Sequence, residues 1–126
     1  MKSILIAALT FALGANAMEC ISLDGLWNFT FHDNCKPENM PREYTITDKM
    51  PVPACFDIMP GYYAKRGIAR YRRSFTLEKD VLNAFLVIKG MGLRGTFWID
   101  GRQIGYSKLA YSTLEFATGP LAKGEH

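Results

Sequence analysis

The sequence predicts an all-β fold, a sandwich or a barrel. Three observations carry that expectation. Strand-like runs recur about every ten residues, separated by turn signals. One stretch, Thr96-Phe97-Trp98-Ile99-Asp100-Gly101-Arg102-Gln103-Ile104-Gly105-Tyr106, reads as a β-hairpin. No segment sustains a 3.6-residue apolar period with capping residues, so no helix is expected. The hairpin is the most informative of the three. Apolar residues alternate up to Ile99, Asp100-Gly101 makes the turn, and Ile104 and Tyr106 lie on the return strand. A type I′ turn needs φ > 0 at both central residues, which Gly adopts freely and Asp more readily than most.

The chain opens with a targeting pattern. Lys2 supplies a positive start, and residues 4–13 form an apolar run too short to span a bilayer. Ala15-Asn16-Ala17 follows as a small-x-small cleavage site. This reads as a secretory signal peptide over residues 1–17, with cleavage expected after Ala17. Glu19 precedes Cys20, where a lipoprotein signal would have a small residue. Residues 18–126 are about one domain's worth of chain and hold no second run long enough for a membrane helix. The expected location is exported, either periplasmic or extracellular.

Composition narrows the class further. With 48% hydrophobic and 13% aromatic residues, a packed core is expected rather than disorder. The formal charge of +3, with acids scattered among the bases, implies no long-range field toward nucleic acid. The arginines at 66, 70, 72 and 73 read as the wet face of a strand rather than a nucleic-acid patch. Three cysteines, Cys20, Cys35 and Cys55, leave one unpaired in any arrangement. One disulfide, Cys20–Cys35 or Cys35–Cys55, and three packed thiols are both open readings. No spacing resembles a zinc site, and no metal or cofactor is expected.

The elements follow in order. Leu26-Trp27-Asn28-Phe29-Thr30-Phe31 follows an Asp24-Gly25 turn signal, and Trp27, Phe29 and Phe31 share one face at period two. That face is expected in the core. Residues 33–42, polar and carrying Pro37 and Pro41, read as a loop. Tyr44 and Ile46 suit a short edge strand, and Met50-Pro51-Val52-Pro53-Ala54-Cys55-Phe56 is extended because proline fixes φ and restricts its neighbour. Residues 57–69, with Pro60-Gly61 and Gly67, read as a long loop, which in a compact domain is usually functional or mobile. A strand is expected from Arg70 to Leu77, with Tyr71, Phe75 and Leu77 inward. Arg73 falls on the same side, so it is expected half-buried against a carboxylate or snorkelling at a strand end. Phe85-Leu86-Val87-Ile88 is apolar on both faces, as a covered central strand is. Ser112-Thr113-Leu114-Glu115-Phe116 is the last strand expected, and residues 119–126 read as a turn-like tail.

Four of these pieces, in order, resemble the N-terminal sugar-binding domain of glycoside hydrolase family 2, the β-galactosidases, β-glucuronidases and β-mannosidases. Leu23-Asp24-Gly25-Leu26-Trp27-Asn28-Phe29 resembles its opening L-x-G-x-W-x-F strand. Residues 50–56 resemble V-P-V-P-x-x-W, with Phe56 where tryptophan is usual. Arg70-Tyr71-Arg72-Arg73-Ser74-Phe75 resembles W-Y-R-R-x-F, with Arg70 in the tryptophan place. Residues 97–105 resemble the V-W-V-N-G-K-x-V-G hairpin, with Asp100 for asparagine. Each piece alone is common; the ordered set covers almost all of residues 22–126.

The resemblance implies a jelly-roll-like β-sandwich, similar to galactose-binding domains. It also implies partners in the same polypeptide, an immunoglobulin-like domain and a TIM-barrel catalytic domain, which this chain lacks. Glycoside hydrolysis needs two carboxylates about 5–5.5 Å apart for retention. In the family these are barrel glutamates, the acid following an asparagine, and no Asn-Glu dipeptide occurs here. No catalytic residue is therefore expected in this chain. Asp24, Asp33, Glu38, Asp57, Glu78, Asp100 and Glu115 read as solvated or structural, and His32 and His126 have no partners in sequence that suggest catalysis. The family tail leads into a further strand, so the sandwich is expected to be incomplete at its C-terminus, a fragment of a larger exported hydrolase. An absent central strand would uncover two or three apolar side chains at about 1.5–3 kcal/mol each.

For sugar specificity, Gly105-Tyr106-Ser107 and Glu115-Phe116 resemble β-galactosidases. The glucuronidase pattern G-G-Y-T-P-F-E-F-D is departed from at Leu109, Ala110, Thr113 and Ala117. β-Glucuronidase and β-mannosidase stay open as alternatives. The resemblance also makes the loop 57–69 the candidate carbohydrate contact. Tyr62 and Tyr63 would offer ring faces, and Asp57 and Arg66 hydrogen bonds to sugar hydroxyls. Packing of the tyrosines on the sandwich end is the competing reading. Trp27 and Trp98 read as core or interdomain packing. A free-standing carbohydrate-binding or structural sandwich remains the second function class.

Overall fold

In the computed structural model, residues 19–126 and the backbone of residues 4–7 are described. Among these residues the chain is all-β, consistent with a β-sandwich, and its only helical turns are single 3-10 turns at Pro37–Asn39 and Phe56–Ile58. The strands are β1 (Ile4–Ala7), β2 (Cys20–Ser22), β3 (Gly25–Asp33), β4 (Asp48–Val52), β5 (Gly67–Arg72) and β6 (Thr76–Leu77). They continue with β7 (Phe85–Ile88), β8 (Gly95–Ile99), β9 (Arg102–Ser107), β10 (Leu114–Ala117) and β11 (Gly124–Glu125). The signal-cleavage site expected at Ala15-Asn16-Ala17 lies outside the described residues.

One sheet has the order β4-β3-β5 and another β10-β7-β1-β2; β8 pairs with β9 and β6 with β11. The pairings are antiparallel. The core joins these layers. Trp27 and Val52 from the three-stranded sheet cluster with Leu86, Ile88 and Leu114 from the four-stranded one, and with Ile99 of the hairpin, Leu77 and Leu121 among others. Trp27 reaches this position with its indole N–H satisfied, donating to the Leu23 carbonyl at 2.7 Å. Phe29, on the same face, is fully buried. The central-strand expectation for residues 85–88 holds, since β7 has a strand on each side and its last three residues are buried.

The hairpin turns as its sequence requires, with Asp100 at φ 51° and Gly101 at φ 75°. It also contains an irregularity the pattern did not predict. The register shifts between Phe97 and Trp98, so Phe97 faces Gly105 while Trp98 faces Gln103. Phe97 stacks on Phe116 of β10 with centroids 5.2 Å apart, and Gly105 leaves room for that ring. Trp98 points away from this packing and is 58% exposed, so it is not a core residue of the described domain.

Several expectations are corrected. The edge strand is Asp48–Val52 rather than Tyr44–Ile46. Residues 45–47 do run beside β3, through Thr30 Oγ1 donating to the Thr45 carbonyl and Thr47 N–H donating to Phe29 O. The regular ladder starts only at Asp48, and it tolerates Pro51 because β4 is an edge. The strand expected over 70–77 is two pieces, β5 and β6, and β5 begins at Gly67, so the loop ends at Arg66. Arg73 is half-buried as expected, but its Nη1 donates to the Asp24 backbone carbonyl at 3.1 Å, not to a carboxylate. The last long strand is Leu114–Ala117, starting two residues later than Ser112. The tail is not free: β11 pairs with β6, and Val81 and Leu121 exchange backbone bonds at 2.8 Å each. Ile4–Ala7, inside the segment expected as a signal peptide, is β1 of the four-stranded sheet, which leaves that expectation untouched. All three cysteines are free thiols.

Candidate functional site

The loop between β4 and β5 sits over an aromatic end of the core. Phe29 meets Phe56 (6.1 Å), Tyr62 (5.1 Å) and Tyr71 (5.0 Å), the last two edge-on. Phe31 meets Phe56 and Tyr62 in turn. Phe29 and Phe31 supply these rings because they are two apart on β3 and so share a face. Phe56 and Tyr62 are brought down onto them by successive turns, with Met59 N–H donating to Phe56 O and Tyr62 N–H to Met59 O. The far end of the loop is closed by Asn34 N–H donating to Arg66 O at 2.7 Å.

The four candidate residues divide by role. Tyr62 is an anchor. Its ring packs on Phe29 and Phe31, its hydroxyl donates to Asp48 Oδ2 at 2.9 Å, and Lys65 Nζ lies 5.8 Å from its centroid. Asp57 is exposed and accepts from the Cys55 thiol at 2.6 Å. Tyr63 points outward and is 83% exposed. Arg66 is exposed, its carbonyl holding the loop base while its side chain faces solvent. The loop therefore presents one free aromatic face, one guanidinium and one carboxylate, on a rigid aromatic footing.

The electrostatics agree with that division. Desolvation, with the Asp48 hydrogen bond and charge behind it, raises the Tyr62 hydroxyl above its ordinary pKa. Asp48 is held below the usual carboxylate range by the Lys49 backbone N–H and then by Tyr62. The Cys55 thiol is pushed up, first by its hydrogen bond to Asp57 and then by desolvation. Burial pushes Tyr71 up to about 12. Chemically, the loop offers solvent one phenol ring, at Tyr63, and hydrogen-bonding groups at Asp57 and Arg66.

Two arrangements were not foreseen from sequence. His126 Nδ1 lies 2.7 Å from Asp100 Oδ2, and its Nε2 lies 2.7 Å from the Ala122 carbonyl. Both ring nitrogens face acceptors, so the doubly protonated imidazolium satisfies both and the pKa is raised, the Ala122 carbonyl being the larger cause and Asp100 the next. No local signal links residues 26 apart; only the pairing of residues 124–126 with β6 brings the ring to the hairpin turn. Arg70 covers the Tyr44 ring at 3.9 Å and donates to the Pro41 carbonyl, fastening the loop before β4 to β5. His32 stands against Tyr44, and its Nε2 has no hydrogen-bond partner among the described residues.

Among the described residues, no three His, Cys, Asp or Glu side chains are grouped to hold a metal ion. No described helix is long and apolar enough to cross a membrane. No family model, no curated protein and no solved structure matches the chain.

Proposed function

We propose that residues 18–126 are the N-terminal carbohydrate-binding sandwich, jelly-roll in topology and incomplete at its C-terminus, of an exported family 2 glycoside hydrolase. Within that family it resembles the β-galactosidase-like members, with β-glucuronidase and β-mannosidase as the alternatives. Its role is to build and wall a sugar pocket, with the loop 57–66 at the rim, while hydrolysis of terminal β-glycosides belongs to a barrel domain of the same polypeptide. Tyr63 supplies the stacking face and Arg66 and Asp57 the hydroxyl contacts, with Tyr62 as their support.

The observation that carries this reading is the ordered set of four motifs. They fall on β3, on β4 and the turn after it, on the end of β5 and the three residues that follow it, and on the β8–β9 hairpin. The first three are laid side by side, with Trp27 opposite Met50 and Asn28 opposite Arg72. Sequencing the reading frame beyond His126 tests it. A continuation into a further strand, an immunoglobulin-like domain and a barrel carrying an Asn-Glu pair is the expected result. A stop codon directly after His126 in the native gene overturns the multidomain reading and leaves a free-standing module.

A further inference from the structure

The four-stranded sheet holds a position whose occupant comes from the far end of the chain. β1 lies between β2 and β7, with Ile6 opposite Ile21 on one side and Leu86 on the other. We propose that the space between Cys20–Ser22 and Phe85–Ile88 is a strand-acceptor groove, and that its occupant in the uncleaved chain is the segment Ile4–Ala7.

Backbone accounting identifies the groove. Thr118 N–H donates to the Ala84 carbonyl at 2.9 Å, so Ala84 faces the β10 side. Antiparallel alternation then turns Leu86 and Ile88 toward β10, and Phe85 and Val87 the other way, toward β1. With β1 in place Val87 is 8% exposed and lies opposite Leu5, so its N–H and C=O are paired with that strand rather than with water. By the same alternation, Ile21 faces β1 from β2. β7 carries no charged residue of the kind that blunts an edge, so it is built to be paired on both sides. The other described strands are engaged elsewhere: β3 with β4 and β5, β8 with β9, and β6 with β11.

A groove of this kind takes its partner chiefly through main-chain bonds. Its ligand class is therefore an extended apolar segment of about four residues with free backbone donors. The segment at residues 4–7 answers that description with Ile-Leu-Ile-Ala. If residues 1–17 are cut away as a signal peptide, the groove is vacated and exposes the backbone edges of Phe85, Val87 and Ile21. That consequence rests on the export reading; the groove itself stands on backbone geometry and is independent of sugar binding.

Nuclear magnetic resonance on the full chain tests the proposal. Ile6 and Leu86 form a non-hydrogen-bonded antiparallel pair, so their α-protons should give a direct contact in the wild-type spectrum. The Val87 amide should exchange slowly. A Leu5→Pro/Ala7→Pro variant removes both donors that face β7. It should speed Val87 exchange by about fivefold, the worth of one net hydrogen bond, while Leu86 and Ile88 keep their protection. A synthetic peptide of residues 1–10 should restore Val87 protection in that variant, and the same peptide with both prolines should not. Absence of the Ile6–Leu86 contact in the wild type overturns the proposal, whatever the variant does. Unchanged Val87 exchange in a folded variant overturns it as well.

Discussion

Gly105→Ala is the sharpest test of how the hairpin sits on the rest of the sandwich. A Cβ at position 105 would lie 2.5 Å from Phe116 Cγ and closer still to Cδ1 and Cε1. Carbon atoms pack at about 3.5–4.0 Å, so the Phe116 ring must retreat by about 1 Å. It has little freedom to do so, because its other partner is the Phe97 ring stacked 5.2 Å away. Overpacking of this kind costs about 1–3 kcal/mol. Gly105 has no positive φ, so alanine also gains about 0.4–1 kcal/mol through the unfolded chain. The net expectation is a destabilisation of about 1–2 kcal/mol. In urea, with a slope of about 1–3 kcal/mol/M, the midpoint should fall by about 0.5–1 M at unchanged slope. Phe116→Leu in the same background should recover most of the loss, giving a coupling of about 1 kcal/mol between the two positions. A Gly105→Ala protein as stable as wild type, or additive behaviour of the pair, would refute the packing of β9 against β10.

Other expectations concern the titrating groups and the loop. The folded pKa of His126 is raised, so its contribution to stability is full below the unfolded value of about 6.5 and is lost as pH rises through the folded value. His126→Gln should abolish that loss, read from urea midpoints between pH 5 and 8. The sign for His32 is opposite. Desolvation first, then Arg70, lowers its folded pKa, so its contribution is full above about 6.5 and is lost as pH falls through the folded value. Imidazole titrations followed by chemical shift should place the two histidines on opposite sides of the free value. Tyr62→Phe should raise the Asp48 pKa toward the ordinary carboxylate range, seen in its side-chain carbonyl titration, and should loosen the loop 57–66 in amide exchange. Tyr63→Ala, by contrast, should leave stability within about 0.5 kcal/mol, since the side chain is 83% exposed.

Much of the fold was legible because its signals are local. The Asp100-Gly101 turn, the Trp27/Phe29/Phe31 face and the doubly apolar Phe85–Ile88 strand each announce themselves within a few residues. What was misread depends on pairing at a distance. Tyr44 and Ile46 have the alternation of a strand, but only Thr30 and the Phe29 carbonyl hold that stretch, and the regular ladder begins at Asp48 and runs on through Pro51. The two-residue β11 has no periodicity at all; it exists because residues 124–126 find Phe75, Thr76 and Leu77. The candidate loop was legible as a loop and as aromatic. That Tyr62 turns inward and Tyr63 outward was not, because the choice is made by Phe29, Phe31 and Asp48, which lie 14 to 33 positions away in the chain. The Asp100–His126 contact, for the same reason, left no trace in the sequence.

The measurement closest to the central claim is a titration of the full chain with methyl β-galactoside, methyl β-glucuronide and methyl β-mannoside, followed by backbone amide shifts. The account predicts that the galactoside moves the amides of Asp57, Tyr63 and Arg66 most, and that Tyr63→Ala removes the response without changing the fold. No shift with any of the three sugars, or shifts confined to the exposed Trp98 and Tyr106 on the outer side of the hairpin, would contradict it.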